Sequence, residues 1–132
     1  MTHPIKPITA AVEPIIERLR AICLALPGVE EKLAWGEPTF RAGRMFAQFD
    51  NNHHNAGHIA VWVKAPPGAQ DVLVNARPQR FFIPPYQGKA GWIGVLLDDD
   101  EVDWDEVAAV VEDGYRMVAS KKLVAELEGW RS

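Results

Sequence analysis

Ala76-Arg77-Pro78-Gln79-Arg80-Phe81-Phe82-Ile83-Pro84-Pro85-Tyr86-Gln87-Gly88-Lys89-Ala90-Gly91-Trp92-Ile93-Gly94-Val95 holds three cations, four aromatics, three prolines and no acid. Pro78 stops any helix that precedes it, because it cannot continue the backbone hydrogen bonding. Phe81-Phe82-Ile83 then predicts a brief strand, cut off by Pro84-Pro85. Gly91 to Leu97 predicts another. Pro84, Pro85 and Gly88 make the connection rigid at one end and tight at the other. Just upstream, Ala69, Val72, Leu73 and Ala76 recur at i, i+3, i+4 and i+7, the spacing of a short amphipathic helix. A helix followed by two strands sets the pattern for the rest of the chain.

Working toward the N-terminus, residues 57–64 predict a strand, with Ile59, Val61 and Val63 on one side and His58, Ala60 and Trp62 on the other. The polar run Asp50 to His58 is a loop. Thr39-Phe40-Arg41 and Arg44 to Phe49 predict two strands joined at Ala42-Gly43, where Gly43 supplies positive φ. Alternation over residues 45–49 is not clean enough to name the buried face. Lys32 to Trp35 leads in, and Gly36-Glu37-Pro38 reads as a break or bulge. Before that, Ile15, Ile16, Leu19, Ile22, Cys23 and Leu26 recur at helical spacing. Pro14 sits in the first turn and Pro27-Gly28 ends the run.

Toward the C-terminus, Asp98 to Val102 forms a turn. Asp103 opens a helix, with Glu106 three residues on in the manner of a capping box. Trp104, Val107, Ala108, Val111, Tyr115 and Val118 form its buried stripe. Gly114 within it suggests close approach of the sheet, and residues 121–128 have the spacing of a further helical piece. The expected fold is α+β, a two-layer domain with a mostly antiparallel five-stranded sheet and helices on one face, in the order α-β-β-β-α-β-β-α. One domain spans 1–132, with 1–11 as a flexible N-terminal segment.

A single cysteine, Cys23, excludes an internal disulfide and points to a reducing, cytoplasmic setting. No apolar run approaches the ~20 residues that span a bilayer, and the N-terminus lacks the pattern of a signal peptide. The net charge of −4 argues against indiscriminate nucleic-acid binding. Its distribution is uneven. Residues 38–97 carry six cations and two acids, while residues 98–113 carry nine acids and no cation. Such segregation marks either a partner surface or a solvated helix face beside a sheet rim.

The chain resembles the MmcQ/YjbR-like family of small bacterial proteins. The resemblance rests on Leu24-Ala25-Leu26-Pro27-Gly28-Val29-Glu30-Glu31, on Trp35-Gly36-Glu37-Pro38-Thr39-Phe40-Arg41 with Met45-Phe46-Ala47, on the Arg80-to-Trp92 segment and on Tyr115 to Leu123. It implies a fold similar to type III secretion chaperones and to the CyaY (frataxin-like) fold, and it implies DNA binding. It carries over no catalytic residue.

The chemistry-bearing residues are few. His53, His54 and His58 invite a metal, but adjacent histidines on an extended chain point apart and no cysteine pair accompanies them, so none is expected. Glu37 is either a general acid or base or a structural carboxylate bonded to backbone amides. Asp98-Asp99-Asp100 lacks the glycine and distant bidentate Glu of a calcium loop. No catalytic residue and no cofactor is expected. The best contact candidates are Arg41, Arg44, Arg77, Arg80 and Lys89 for phosphates, with Tyr86 and Trp92 for bases. Against this stands the reading in which Phe81, Phe82 and Trp92 are core and the cations fringe the sheet, since aromatics at strand spacing are usually buried. The alternatives to a DNA-binding domain are a protein-interaction adaptor and a ligand pocket near Trp35, Glu37 and Tyr86.

Overall fold

The computed structural model describes residues 7–52 and 57–131. The sequence-based expectations for residues 1–6, and for His53 and His54, lie outside these. The elements run α1 (Glu13–Leu24), β1 (Glu30–Ala34), β2 (Glu37–Ala42), β3 (Arg44–Asn51), β4 (Ile59–Val63), α2 (Ala69–Ala76), β5 (Phe81–Phe82), a 3-10 turn (Gly88–Ala90), β6 (Ile93–Leu96), α3 (Trp104–Val118) and α4 (Lys121–Trp130). The sheet order is β1-β2-β3-β4-β6-β5, and every neighbouring pair is antiparallel. Because β4 and β5 both oppose β6, they run parallel to each other, and α2 is the crossover between them.

Among the described residues the sheet has six strands and there are four helices, giving α-β-β-β-β-α-β-β-α-α, which corrects the sequence-based order on both counts. The extra strand comes from Trp35-Gly36. Both residues have positive φ, 54° and 78°. They form a two-residue hairpin turn that sets Ala34 opposite Glu37. Paired positive φ values suit the right-handed twist of a hairpin, but Asn-Gly or Asp-Gly is the usual signal. A tryptophan in the first position hides the turn. The fourth helix is capped by Ser120, whose side chain accepts from Leu123 N.

Register fixes the two faces. Phe40, Ala47, Val63 and Ile93 lie in one cross-strand row, and Phe49, Val61, Val95 and Phe81 in the next. Both rows belong to the main core with Ile16, Leu19 and Cys23 of α1, Val107, Val111 and Tyr115 of α3, and Leu127 of α4. The broken alternation in β3 is a β-bulge. Pairing shifts from Phe40–Ala47 to Arg41–Met45, which leaves Phe46 without a partner. Phe46 and Ala47 therefore both reach the core. Phe46 meets Tyr115 edge-on, with ring centroids 5.7 Å apart.

Helix α3 starts where the sequence places it: the Asp103 side chain accepts from Asp105 N and Glu106 N. At Gly114 it touches the sheet. An added Cβ there would lie 2.5 Å from Lys64 O and 2.7 Å from Val63 Cγ1. One residue on, Tyr115 Oη donates to Pro27 O at 2.7 Å. Cys23 is fully buried, and desolvation raises its thiol pKa with a smaller push from Glu31.

Candidate functional site

Strand directions sort the loops into two ends. At one end lie the Ala42-Gly43-Arg44 turn, the exit of β4 at Val63-Lys64, and the loop from Ile83 to Trp92. Ala47 pairs with Val63 and Val63 with Ile93, and Lys64 N donates to Phe46 O at 2.9 Å. At the other end lie the Trp35-Gly36 turn, the start of β4 and residues 97–103. There Ile59 N donates to Asp98 Oδ2 at 3.1 Å and Leu97 N to Ile59 O at 2.9 Å.

The first end carries Arg41, Arg44, Lys64 and Lys89. None of them makes an ion pair among the described residues. Arg44 and Lys89 are exposed, and Arg41 and Lys64 are half-buried. The Arg41 Nε is buried without a hydrogen bond. Acids share this end as well: Glu30, opposite Arg41 in the register, Asp71 in the first turn of α2, and Asp113, next to the Gly114 that packs on Val63 and Lys64. From the β2–β3 turn to β6 is two and a half strand spacings, about 12 Å.

The acidic end takes up two of the remaining cations. Arg77 Nη1 pairs with Glu106, and its guanidinium lies 5.4 Å from the Phe81 ring centroid. Arg80 is only 5% exposed; it donates to Leu96 O and to Asp99 Oδ1, both at 2.8 Å. The Arg80 hydrogen bond holds the Asp99 carboxyl below its ordinary range. Trp92 is 4% exposed, so its indole packs inside rather than facing a partner. Of the seven expected contact residues, Arg41, Arg44, Tyr86 and Lys89 come together at one end. Arg77 and Arg80 lie toward the other end, and Trp92, at the same end as the four, is buried.

Tyr86 is 75% exposed, with φ at 64°. A left-handed backbone costs a non-glycine residue roughly 1–2 kcal/mol. The loop around it is fixed by other contacts. Gln70 Nε2 donates to Gly88 O at 2.9 Å and to Trp92 O at 2.6 Å. Ala90 N and Trp92 N both donate to Gln87 O, at 3.1 and 3.3 Å. Beside this loop is an open cleft of about 340 Å³, lined by Gln70, Ile83, Pro84, Tyr86, Gly88 and Lys89.

The second face of the sheet holds a polar row that sequence reasoning found only in part. Thr39, Gln48, Trp62, Gly94 and Phe82 lie across it, with Asp50, Ala60 and Leu96 in the next row. Asp50 is 1% exposed and accepts from Trp62 Nε1 at 2.9 Å and His58 Nε2 at 2.8 Å. Glu37, also buried, accepts from Asn51 N at 2.7 Å. Glu37 thus bonds a backbone amide, the structural one of its two sequence-based roles. The signal was available: Glu37 and Thr39, then Gln48 and Asp50, alternate with apolar residues. Among the described residues no group of three or more His, Cys, Asp or Glu is placed to hold a metal. The suggested pocket of Trp35, Glu37 and Tyr86 does not form. Trp35 and Glu37 lie at the acidic end and Tyr86 at the other.

No helix among the described residues is long and apolar enough to cross a membrane. Fold and surface together define a small α+β domain with an open antiparallel sheet and its charges divided between the two ends. Residues 24–117 match the YjbR family model, and the chain belongs to that family. Among solved structures it is similar to the crystal structure of Deinococcus radiodurans protein DR2400, described as carrying domain DUF419. The TM-score is 0.68 and the identity 23%, over 86% of this chain and 87% of that one. At that identity the likeness establishes the fold alone. No curated protein matches the chain.

Proposed function

We propose that this YjbR domain is a non-enzymatic DNA-binding module that takes the phosphate backbone at the hairpin-and-loop end of its sheet. One observation carries this reading: Arg41, Arg44, Lys64 and Lys89 converge at that end with no ion pair among the described residues, while Glu106 and Asp99 at the other end engage Arg77 and Arg80. DNA presents about one charge per 3.4 Å of each strand, so cations spread over about 12 Å meet several phosphates. In a protein of net charge −4, a local group of unpaired cations is what a polyanion can engage. The acidic end would then point away from the DNA and orient the domain on it.

The test is titration of the purified chain into fluorescein-labelled DNA, single- and double-stranded, at rising salt. Binding that weakens steeply between about 50 and 200 mM salt is expected, because each neutralised phosphate releases counterions. An anisotropy that stays flat at the lowest salt for both probes overturns the proposal.

A further inference from the structure

Resting on that reading, we infer that the DNA bound at the basic end is single-stranded, with the Tyr86 ring stacked on an unpaired base and Lys89 on a neighbouring phosphate. Three features of the Ile83–Trp92 loop point this way. Its backbone holds Tyr86 at a φ of 64° and leaves the residue 75% exposed. A strained aromatic turned outward contributes little to the core, and strain kept at an outward-facing position is a mark of a contact site.

The second feature is rigidity. Gln70 Nε2 clamps the carbonyls of Gly88 and Trp92, and the buried Trp92 anchors the end of the loop. Gly91, with φ at 86°, closes the 3-10 turn through its N–H to Gly88 O at 3.0 Å. A ring on a fixed loop is organised before the ligand arrives, so stacking on it costs less ordering.

The third is the company the ring keeps. Tyr86 and Lys89 both line the open cleft of about 340 Å³, and no acid lies between residues 76 and 97. That volume is at the low end of the range for small-ligand clefts, ~300–1,000 Å³. The pairing of an exposed aromatic face with a nearby cation is the arrangement that tracks an unpaired strand, since every base offers a π-face. In a duplex the base faces are already stacked on one another, and a single protruding ring finds none to cover.

The experiment compares a labelled single strand with its own duplex, using the full chain and three variants. Tyr86→Asn removes the ring and keeps the left-handed backbone, which asparagine tolerates. It is expected to weaken single-strand binding about 5- to 150-fold and to leave the salt slope unchanged. Tyr86→Phe should bind as the parent does. Lys89→Ala should reduce the single-strand salt slope by about 0.7. Duplex binding as tight as single-strand binding overturns the inference, as does a Tyr86→Asn variant that binds like the parent. If Lys89→Ala still lowers the slope in those cases, the basic end stands and only the stacking is refuted. Failure of both probes to bind removes the two together.

Discussion

Gly114→Ala is the sharpest structural test of how α3 sits on the sheet. In an isolated helix the change would stabilise by about 0.8–1.0 kcal/mol, because glycine loses more backbone freedom than alanine. Here the new methyl would stand 2.5 Å from the Lys64 carbonyl oxygen and 2.7 Å from Val63 Cγ1. Val63 is fully buried and the carbonyl is backbone directly after β4, held by the Lys64 N hydrogen bond to Phe46 O, so neither neighbour can move cheaply. Overpacking of this kind costs typically 1–3 kcal/mol, occasionally more. With backbone on one side the upper part of that range applies, and the net loss is about 1–2 kcal/mol. For a domain of this size that lowers Tm by roughly 3–8 °C. Gly129→Ala in α4 is the control. A Cβ there meets nothing within 4 Å, so the propensity gain, up to about 1 kcal/mol, should appear in full. Urea and thermal unfolding of the two variants beside the parent measure both signs. A Gly114→Ala protein as stable as the parent, or more so, would mean that α3 does not touch the sheet at this point.

Three further outcomes are expected. Hydrogen bonds hold two carboxyls low: Arg80 holds Asp99 below its ordinary 3.8, and Arg131 with Arg116 holds Glu112 below 4.5. Lowered folded-state values contribute stability above the ordinary values, and that stability is lost as pH falls through the folded ones. Urea midpoints should therefore hold at neutral pH and drop below about pH 4, with a shallower drop in Glu112→Gln; a midpoint unchanged into strong acid counts against both pairs. Asp50→Ala strips the acceptor from buried Trp62 Nε1 and from His58, and should cost about 1–3 kcal/mol in urea unfolding; a loss near zero would place that carboxylate in solvent. The Cys23 thiol, its pKa raised by burial, should ignore Ellman's reagent in the native state and react once urea unfolds the chain; rapid native-state reaction would put Cys23 at the surface.

What the sequence revealed divides by the range of the interaction involved. Local chemistry was legible. Asp103 caps α3 as its spacing to Glu106 suggests, Gly43 turns β2 into β3 with φ at 85°, and Pro14 opens α1. Features set by non-local pairing were not. Trp35-Gly36 is a hairpin turn because Ala34 and Glu37 pair across it, although a tryptophan is a poor candidate for positive φ. The bulge at Phe46 is defined against β2 and so cannot be seen in β3 alone. Arg80 looked like a surface cation beside Arg77, yet Leu96 O and Asp99 draw it inward from 16 and 19 residues away. The same holds for the candidate site. Arg41, Arg44, Arg77, Arg80 and Lys89 read as one candidate patch, but strand order sends Arg41, Arg44 and Lys89 to one end, where Lys64 joins them, and leaves Arg77 and Arg80 to the acids. Tyr86 was identified by type, while its strained backbone and clamped loop depend on Gln70.

The central claim is that the cations at the hairpin-and-loop end contact phosphates, and the slope of log K against log salt tests it most directly. Fluorescence anisotropy on labelled DNA would compare the parent, the double variant Arg44→Ala/Lys89→Ala, and Arg77→Gln at the acidic end. Two lost phosphate contacts should make the slope shallower by about 1.4 on single strands and about 1.8 on duplex. The Arg77→Gln slope should match the parent. Equal slopes for the parent and the double variant, or a shallower slope for Arg77→Gln alone, would contradict the claim.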